Sequence, residues 1–228
     1  GDCEVDPGWI VAALRAFAVH PGTVVICGRR RERFPKASVY NALADREWDT
    51  PVGQARACGG DALMRYGAVM AVGGYRADLI AGEEPELCVR LRAAGGAVWR
   101  IDAEMTLHDA ALRRFSQWWR RSVRAGHAFA EGAALHGAGP DRHWVAETRR
   151  AVIWGIGLPL GIAVGAVIAP AAAMAVLVYP AQVVRLARRG GWTWALFSVL
   201  GKFAEARGVA GYWLGRMCGR RRGLIEYR

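Results

Sequence analysis

The chain has 228 residues, 53% hydrophobic and 22% charged, and 31 Lys and Arg against 20 Asp and Glu give it a net charge of +11. This balance excludes both a disordered chain and a pure membrane bundle, and leaves room for one domain of about 150 residues with something added. The cationic excess suits nucleic acid, phosphorylated substrates or an anionic membrane surface.

In chain order, Gly1-Asp2-Cys3-Glu4 lacks an initiating methionine and reads like the end of a strand, so the chain is expected to be a fragment. No signal peptide opens it. Asp6-Pro7-Gly8 signals a turn or helix start, and Ile10, Val11, Leu14 and Phe17 then recur at helical spacing. The β-branched run from Thr23 to Gly28 predicts a buried strand, continued by Arg29 to Arg33 as a charged edge or loop. Residues 34–60 are irregular, with a short helix near 39–47, and Ala62 to Val72 mixes strand and helix signals before Gly73-Gly74-Tyr75. A helix is predicted over 86–94, with Pro85 suited to its first position and Gly95-Gly96 ending it, followed by a short strand over 97–101. Arg113 to Leu135 reads as a long amphipathic helix, and residues 137–150 as a linker.

From Ala151 to Val184 there is no charged residue. As one helix those 34 positions would span about 51 Å against a hydrocarbon core of about 30 Å, so two short spans turning near Pro170 fit better. Arg149-Arg150 at one end and Arg185, Arg188 and Arg189 at the other place both ends of such a hairpin, over 151–187, on the cytoplasmic side. A buried helical core is the alternative. Residues 190–228 read as an interfacial helix with a basic tail. Because the arginines flank apolar runs and no nucleic-acid motif appears, a membrane is the expected partner and nucleic acid is not. The five cysteines are scattered without a CxxC pair, which suits reduced thiols better than a disulfide framework or a zinc site.

Three acidic or polar clusters could do chemistry. Asp2 and Glu4 are two apart, a spacing that can hold a divalent cation through hard oxygen ligands, or merely line a solvated loop. Glu83-Glu84-Pro85-Glu86 precedes a helix, where the dipole alone accounts for the acids, but a carboxylate there can also serve as general base. Gln117 and Arg120 share a helix face, and the arginine can pair with phosphate or rest on a bilayer. Asp61 after Gly59-Gly60 either turns the chain or contacts a sugar hydroxyl. His108-Asp109 follows the 97–101 strand and is either structural or a metal ligand.

The order of these clusters resembles family 2 glycosyltransferases: an acid pair, Gly73-Gly74-Tyr75, Gly82 to Arg92, Gln117-x-x-Arg120, then an apolar hairpin. The resemblance covers nearly all of residues 1–135. It implies an α/β fold, part of a GT-A domain over 1–136 whose N-terminal half is missing, followed by an α-helical membrane region. It also implies inverting transfer of a sugar from a nucleotide-diphosphate sugar to a membrane-associated lipid or glycan acceptor, on the cytoplasmic side of the cell membrane. Asp2, matching the last Asp of the DxD motif, would hold Mg²⁺ or Mn²⁺ with Glu4, and Glu84 would be the base, with Glu83 as substitute. Asp61, Gln117 and Arg120 would contact donor diphosphate or acceptor. Arg121 stands where QxxRW has Trp, so processive synthesis is not implied. Without the donor half the chain itself is expected to be inactive; the alternative is a non-catalytic membrane-anchored scaffold.

Overall fold

A computed structural model describes residues 3–219, and the chain divides between Phe115 and Ser116 into two compact units. The first is mixed α/β. Its strands β1 (Cys3–Val5), β2 (Thr23–Glu32), β3 (Gly53–Ala55), β4 (Leu63–Met64) and β5 (Ala97–His108) form one sheet in the order β1-β5-β2-β4, with β3 also on β5. Only β2 and β5 run parallel; the other pairings are antiparallel. Val25, Ile26 and Cys27 are consecutive and all buried, so β2 is covered on both faces. The cover comes from α1 (Trp9–Val19) and α4 (Glu83–Ala93), whose Trp9, Ala13, Ala16, Leu87, Cys88 and Leu91 share one core with Val98 and Met105.

Between Cys27 and Arg29 the register of β2 on β5 shifts. Gly28 sits at that irregularity, where a Cβ would lie 2.6 Å from the Ala103 carbonyl oxygen and 2.8 Å from Trp9 Cζ3. The strand then runs on to Glu32, further than a charged loop would. Arg29 is buried and anchored to Asp45 at 3.1 Å and Asp49 at 3.3 Å, both on or just after α2 (Val39–Trp48). Helix α2 begins at Ser38, whose side chain accepts from the Asn41 amide at 3.0 Å. The ambiguous stretch 62–72 resolves into β4 and α3 (Tyr66–Ala71).

Several expectations are corrected. Helix α1 buries Trp9, Ala13 and Ala16, while Ile10, Val11 and Leu14 are exposed, because the small alanines permit close approach to the sheet. Helix α4 starts at Glu83, with Gly82 in the left-handed conformation at its cap, so Pro85 lies inside the first turn, where no backbone N–H is missed. Strand β5 continues past 101 to His108 because β1 pairs with its last three residues. Cys3 therefore opens a strand instead of ending one; Asp2 lies outside the described residues.

The second unit is helical among its described residues. It contains α5 (Phe115–His136), α6 (Val145–Val152), a π turn at Ile153–Gly157, α7 (Leu158–Ile168), a 3₁₀ segment at Pro170–Leu177, α8 (Val178–Gly190) and α9 (Trp192–Met217). The amphipathic helix thus belongs with the membrane-type helices, and the expected linker over 137–150 is turn only as far as Trp144. Two continuous helical stretches, Val145–Ile168 and Pro170–Gly190, are long and apolar enough to cross a membrane, with almost none of their residues buried. They part at Ala169, which is extended because the following Pro170 disfavours helix at that position. Helix α9, over which an interfacial helix is expected, buries Ala195, Val199, Ala204, Gly208 and Val209 and so packs one face within this unit. It touches α5 through bare backbone: a Cβ at Gly126 would lie 2.0 Å from the Glu205 carbonyl oxygen, and one at Gly208 2.1 Å from that of Val123. The basic tail, 220–228, lies outside the described residues.

Gly28→Ala should lower the unfolding free energy of the full chain in detergent by about 1–3 kcal/mol, the usual cost of overpacking, as read by denaturant titration.

Candidate functional site

The loop joining β3 to β4 carries Cys58, Gly59, Gly60 and Asp61. Glu84, in the first turn of α4, reaches it with both carboxylate oxygens. The Cys58 amide donates to Oε1 at 2.6 Å and the Gly59 amide to Oε2 at 2.9 Å. Successive amides turned toward one anion need an unusual backbone, and Gly59 supplies it with φ at 83°. Cys88 stands one helical turn beyond Glu84 on the same face. Its thiol donates to Oε1 at 3.0 Å, and the Cys58 thiol donates to the same oxygen at 2.9 Å. The two sulfurs are 3.8 Å apart.

One ligand atom from each of Cys58, Glu84 and Cys88 lies within 4.8 Å of the others, so this group can hold a metal ion. The thiol of Cys58 is pushed far above the usual range by its contact with Cys88, then by burial and by the charge of Glu84. Cys27, in the same core, is pushed up to about 12, mostly by burial and then by Glu84. Tyr75 also rises to about 12, through burial first and then through its neighbours Cys58 and Glu84.

The other end of the loop is fastened separately. Asp61 accepts from Arg30 Nε at 2.6 Å and from the Thr106 hydroxyl at 2.7 Å. Arg30 and Thr106 face each other across the parallel pair, near its carboxyl end. Arg30 also donates to the Gly59 carbonyl and lies over the Trp48 ring, 5.4 Å from its centre. The Gly73-Gly74 segment is held in turn by Arg90, which pairs with buried Glu86 at 2.7 Å and donates to the carbonyls of Val72 and Gly74.

The structure thus brings Glu83, Glu84 and Asp61 to one loop and the helix N-terminus that grips it. Glu83 is the less buried of the two adjacent glutamates. Glu4 is elsewhere: it is exposed on β1 and paired with Arg33 at 2.8 Å. Opposite β1, His108 Nδ1 meets Cys3 Sγ at 2.9 Å and its ring lies 5.1 Å from that of Trp48. Gln117 and Arg120 are on α5 in the other unit, where Arg120 Nε donates to the Ser116 carbonyl at 3.3 Å.

Sequence reasoning missed Cys58 and Cys88 as partners of Glu84. The i, i+4 spacing of Glu84 and Cys88 was the visible signal; nothing in the spacing pointed to Cys58. It also missed a buried polar knot in which Glu32 accepts from Asn41 Nδ2 at 3.0 Å and from the Ala110 amide at 2.8 Å, while Asn41 accepts from the Leu112 amide at 3.0 Å. The knot fixes the segment leaving β5.

No protein-family model matches the chain, and no curated protein compared with it does either.

Two outcomes are expected. Glu84→Gln leaves one of the two loop amides facing an NH₂ group, and should cost about 1–3 kcal/mol while speeding hydrogen exchange at Cys58 and Gly59. The raised Cys27 keeps its proton in the folded state while the unfolded thiol loses it near 9. Stability should therefore be intact below pH 9 and fall as pH rises toward 12, less steeply in Cys27→Ala, as read by urea titrations across that window.

Proposed function

We propose that the chain is the acceptor-side part of a membrane-bound glycosyltransferase that moves a sugar, with inversion, from a nucleotide-diphosphate sugar to a membrane-associated acceptor. The observation that carries this reading is the loop at Cys58 to Asp61. It is gripped by Glu84 at one end and by Arg30 and Thr106 at the other, at the carboxyl end of the parallel pair. Ligands of α/β sheets bind at that end of the strands, and the sequence order of the motifs agrees with the resemblance.

In this reading an acceptor hydroxyl attacks the anomeric carbon from the face opposite the diphosphate. The new C–O bond forms as the bond to the diphosphate breaks, and the hydroxyl proton passes to a carboxylate. Glu84 has both oxygens on the loop and positions it, and Glu83 beside it, the substitute base of the resemblance, takes the proton. Glu4, which the resemblance pairs with Asp2 as a ligand of Mg²⁺ or Mn²⁺, is exposed and paired with Arg33, and Asp2 lies outside the described residues. No step is assigned to that cation.

The two apolar helical stretches cross the membrane in this reading, with the arginines at 149, 150, 185, 188 and 189 on the cytoplasmic side together with the α/β unit. A cavity of about 440 Å³ between α8 and α9, lined by Tyr179, Val183, Trp192, Leu196 and Phe203, suits a hydrocarbon chain. A second reading, a membrane-anchored scaffold without catalysis, is favoured by one fact: the carboxylates of Glu84 and Asp61 are both engaged in holding the loop.

The test is release of nucleoside diphosphate from a panel of nucleotide sugars by membranes of cells making the natural protein, with Mg²⁺ or Mn²⁺ supplied. Turnover is expected, and Glu83→Gln should lower kcat by about 10²–10⁴-fold with donor KM unchanged. No turnover with any donor from folded protein would leave the scaffold reading standing.

A further inference from the structure

The three side chains that meet at the start of α4 come from two places in the chain. Glu84 and Cys88 are offered by one helix face, and Cys58 by a loop 30 residues before Cys88. Two sulfurs and one carboxylate oxygen form a donor set that favours a soft or borderline cation over Mg²⁺ or Mn²⁺, which prefer all-oxygen sites. The spacing agrees. With Zn–S near 2.3 Å, a tetrahedral S–Zn–S unit has a sulfur–sulfur edge of about 3.8 Å, and the two sulfurs stand 3.8 Å apart. The matching sulfur–oxygen edge is about 3.5 Å, against 2.9 and 3.0 Å here. An opening of roughly half an ångström, within the reach of one rotamer adjustment, admits the ion. The carboxylate is already oriented by the amides of Cys58 and Gly59, the kind of outer contact that supports a metal ligand.

We propose that Cys58, Glu84 and Cys88 form a zinc site that clips the Cys58–Asp61 loop to the first turns of α4. Binding forms two Zn–S bonds and one Zn–O bond. Each thiol releases its proton to solvent, and the carboxylate, already ionised, releases none. The fourth position is left for a water molecule. The two S–H···O contacts and the sulfur–sulfur contact are replaced by bonds to the ion, while both amide contacts to Glu84 persist. The clip does not depend on sugar transfer. It would fix the same loop in an enzyme or in a scaffold, so its failure and the failure of the glycosyltransferase reading are separate results.

The test uses the full chain in nonionic detergent, reduced and stripped with a chelator, with Zn²⁺ alone and Co²⁺ alone as probes. One Zn²⁺ per chain is expected to survive gel filtration and to raise the Tm. X-ray absorption at the zinc edge should show two sulfur neighbours with the remainder oxygen. The Co²⁺ form should show the sulfur-to-metal charge-transfer band of two thiolates. Cys58→Ser and Cys88→Ser should each weaken binding by more than about 100-fold, because losing an outer contact alone costs 10–100-fold. Cys3→Ser and Cys218→Ser should leave it unchanged. The absorption measurement on the unaltered chain decides the matter even where a serine variant does not fold. A zinc edge without sulfur, no retained metal, binding unchanged in Cys58→Ser and Cys88→Ser, or conversion of the two thiols to a disulfide in air instead of metal uptake would each overturn the proposal.

Discussion

The parallel pairing of β2 with β5 is the contact on which the first unit depends. Every other strand hangs from one of these two, β1 and β3 on β5 and β4 on β2. Parallel neighbours cannot be joined by a tight hairpin, and the chain between them supplies α2, β3, β4, α3 and α4. The loop at Cys58 and the start of α4 therefore both belong to the crossover, and they meet because the pairing holds the two ends of that crossover in place. The bulge at Gly28 adjusts the pairing: past it, Arg29 enters the interior toward Asp45 and Asp49, and Arg30 comes level with Thr106.

Charge inside this unit is handled by close matching. A guanidinium or carboxylate out of water is tolerated only when its hydrogen-bonding capacity is met. Buried Arg29, Glu32, Glu84 and Glu86 have the partners described above, and buried Arg100 pairs with Asp49 at 3.4 Å. Pairs of this kind cancel one to one, so the net charge of +11 is carried by the groups outside them. Salt bridges at the rim, such as Arg31 with Glu104, contribute little by comparison, because both side chains are about half exposed.

Much of this architecture was legible from residue patterns, and the exceptions share a physical cause. The strand over Thr23 to Gly28, the helix over 86–94, the long helix over Arg113 to Leu135 and the turn near Pro170 rest on local signals, and the elements stand close to where those signals put them, apart from the longer β2 and the earlier start of α4 at Glu83. The boundaries moved where a distant partner intervened: β1 prolongs β5 to His108, and Asp45 and Asp49 draw Arg29 into the core. In α1 the periodicity of Ile10, Val11 and Leu14 was real, but the sheet accepts the narrow alanine face instead. At the site, the acidic helix start was visible at Glu83 and Glu84. Nothing local joins Cys58 to Cys88, and reading cysteines by spacing argued against a metal that their positions in space allow. The tie between Asp61 and Thr106 depends on the fold and carries no sequence signature.

The crossing of α5 and α9 is made by Gly126 and Gly208, each facing main chain, not side chain, on its neighbour. An added methyl group at either position has no opposing side chain that a second substitution could trim. Genetic suppression of such a change could not come from the facing helix by way of a smaller residue. It would require the helices to separate along their length, disturbing the packing of Ala204 and Val209 together with the crossing itself. The two glycines should therefore behave as sites without local suppressors, and drift at them should be coupled to a different arrangement of the whole helical unit.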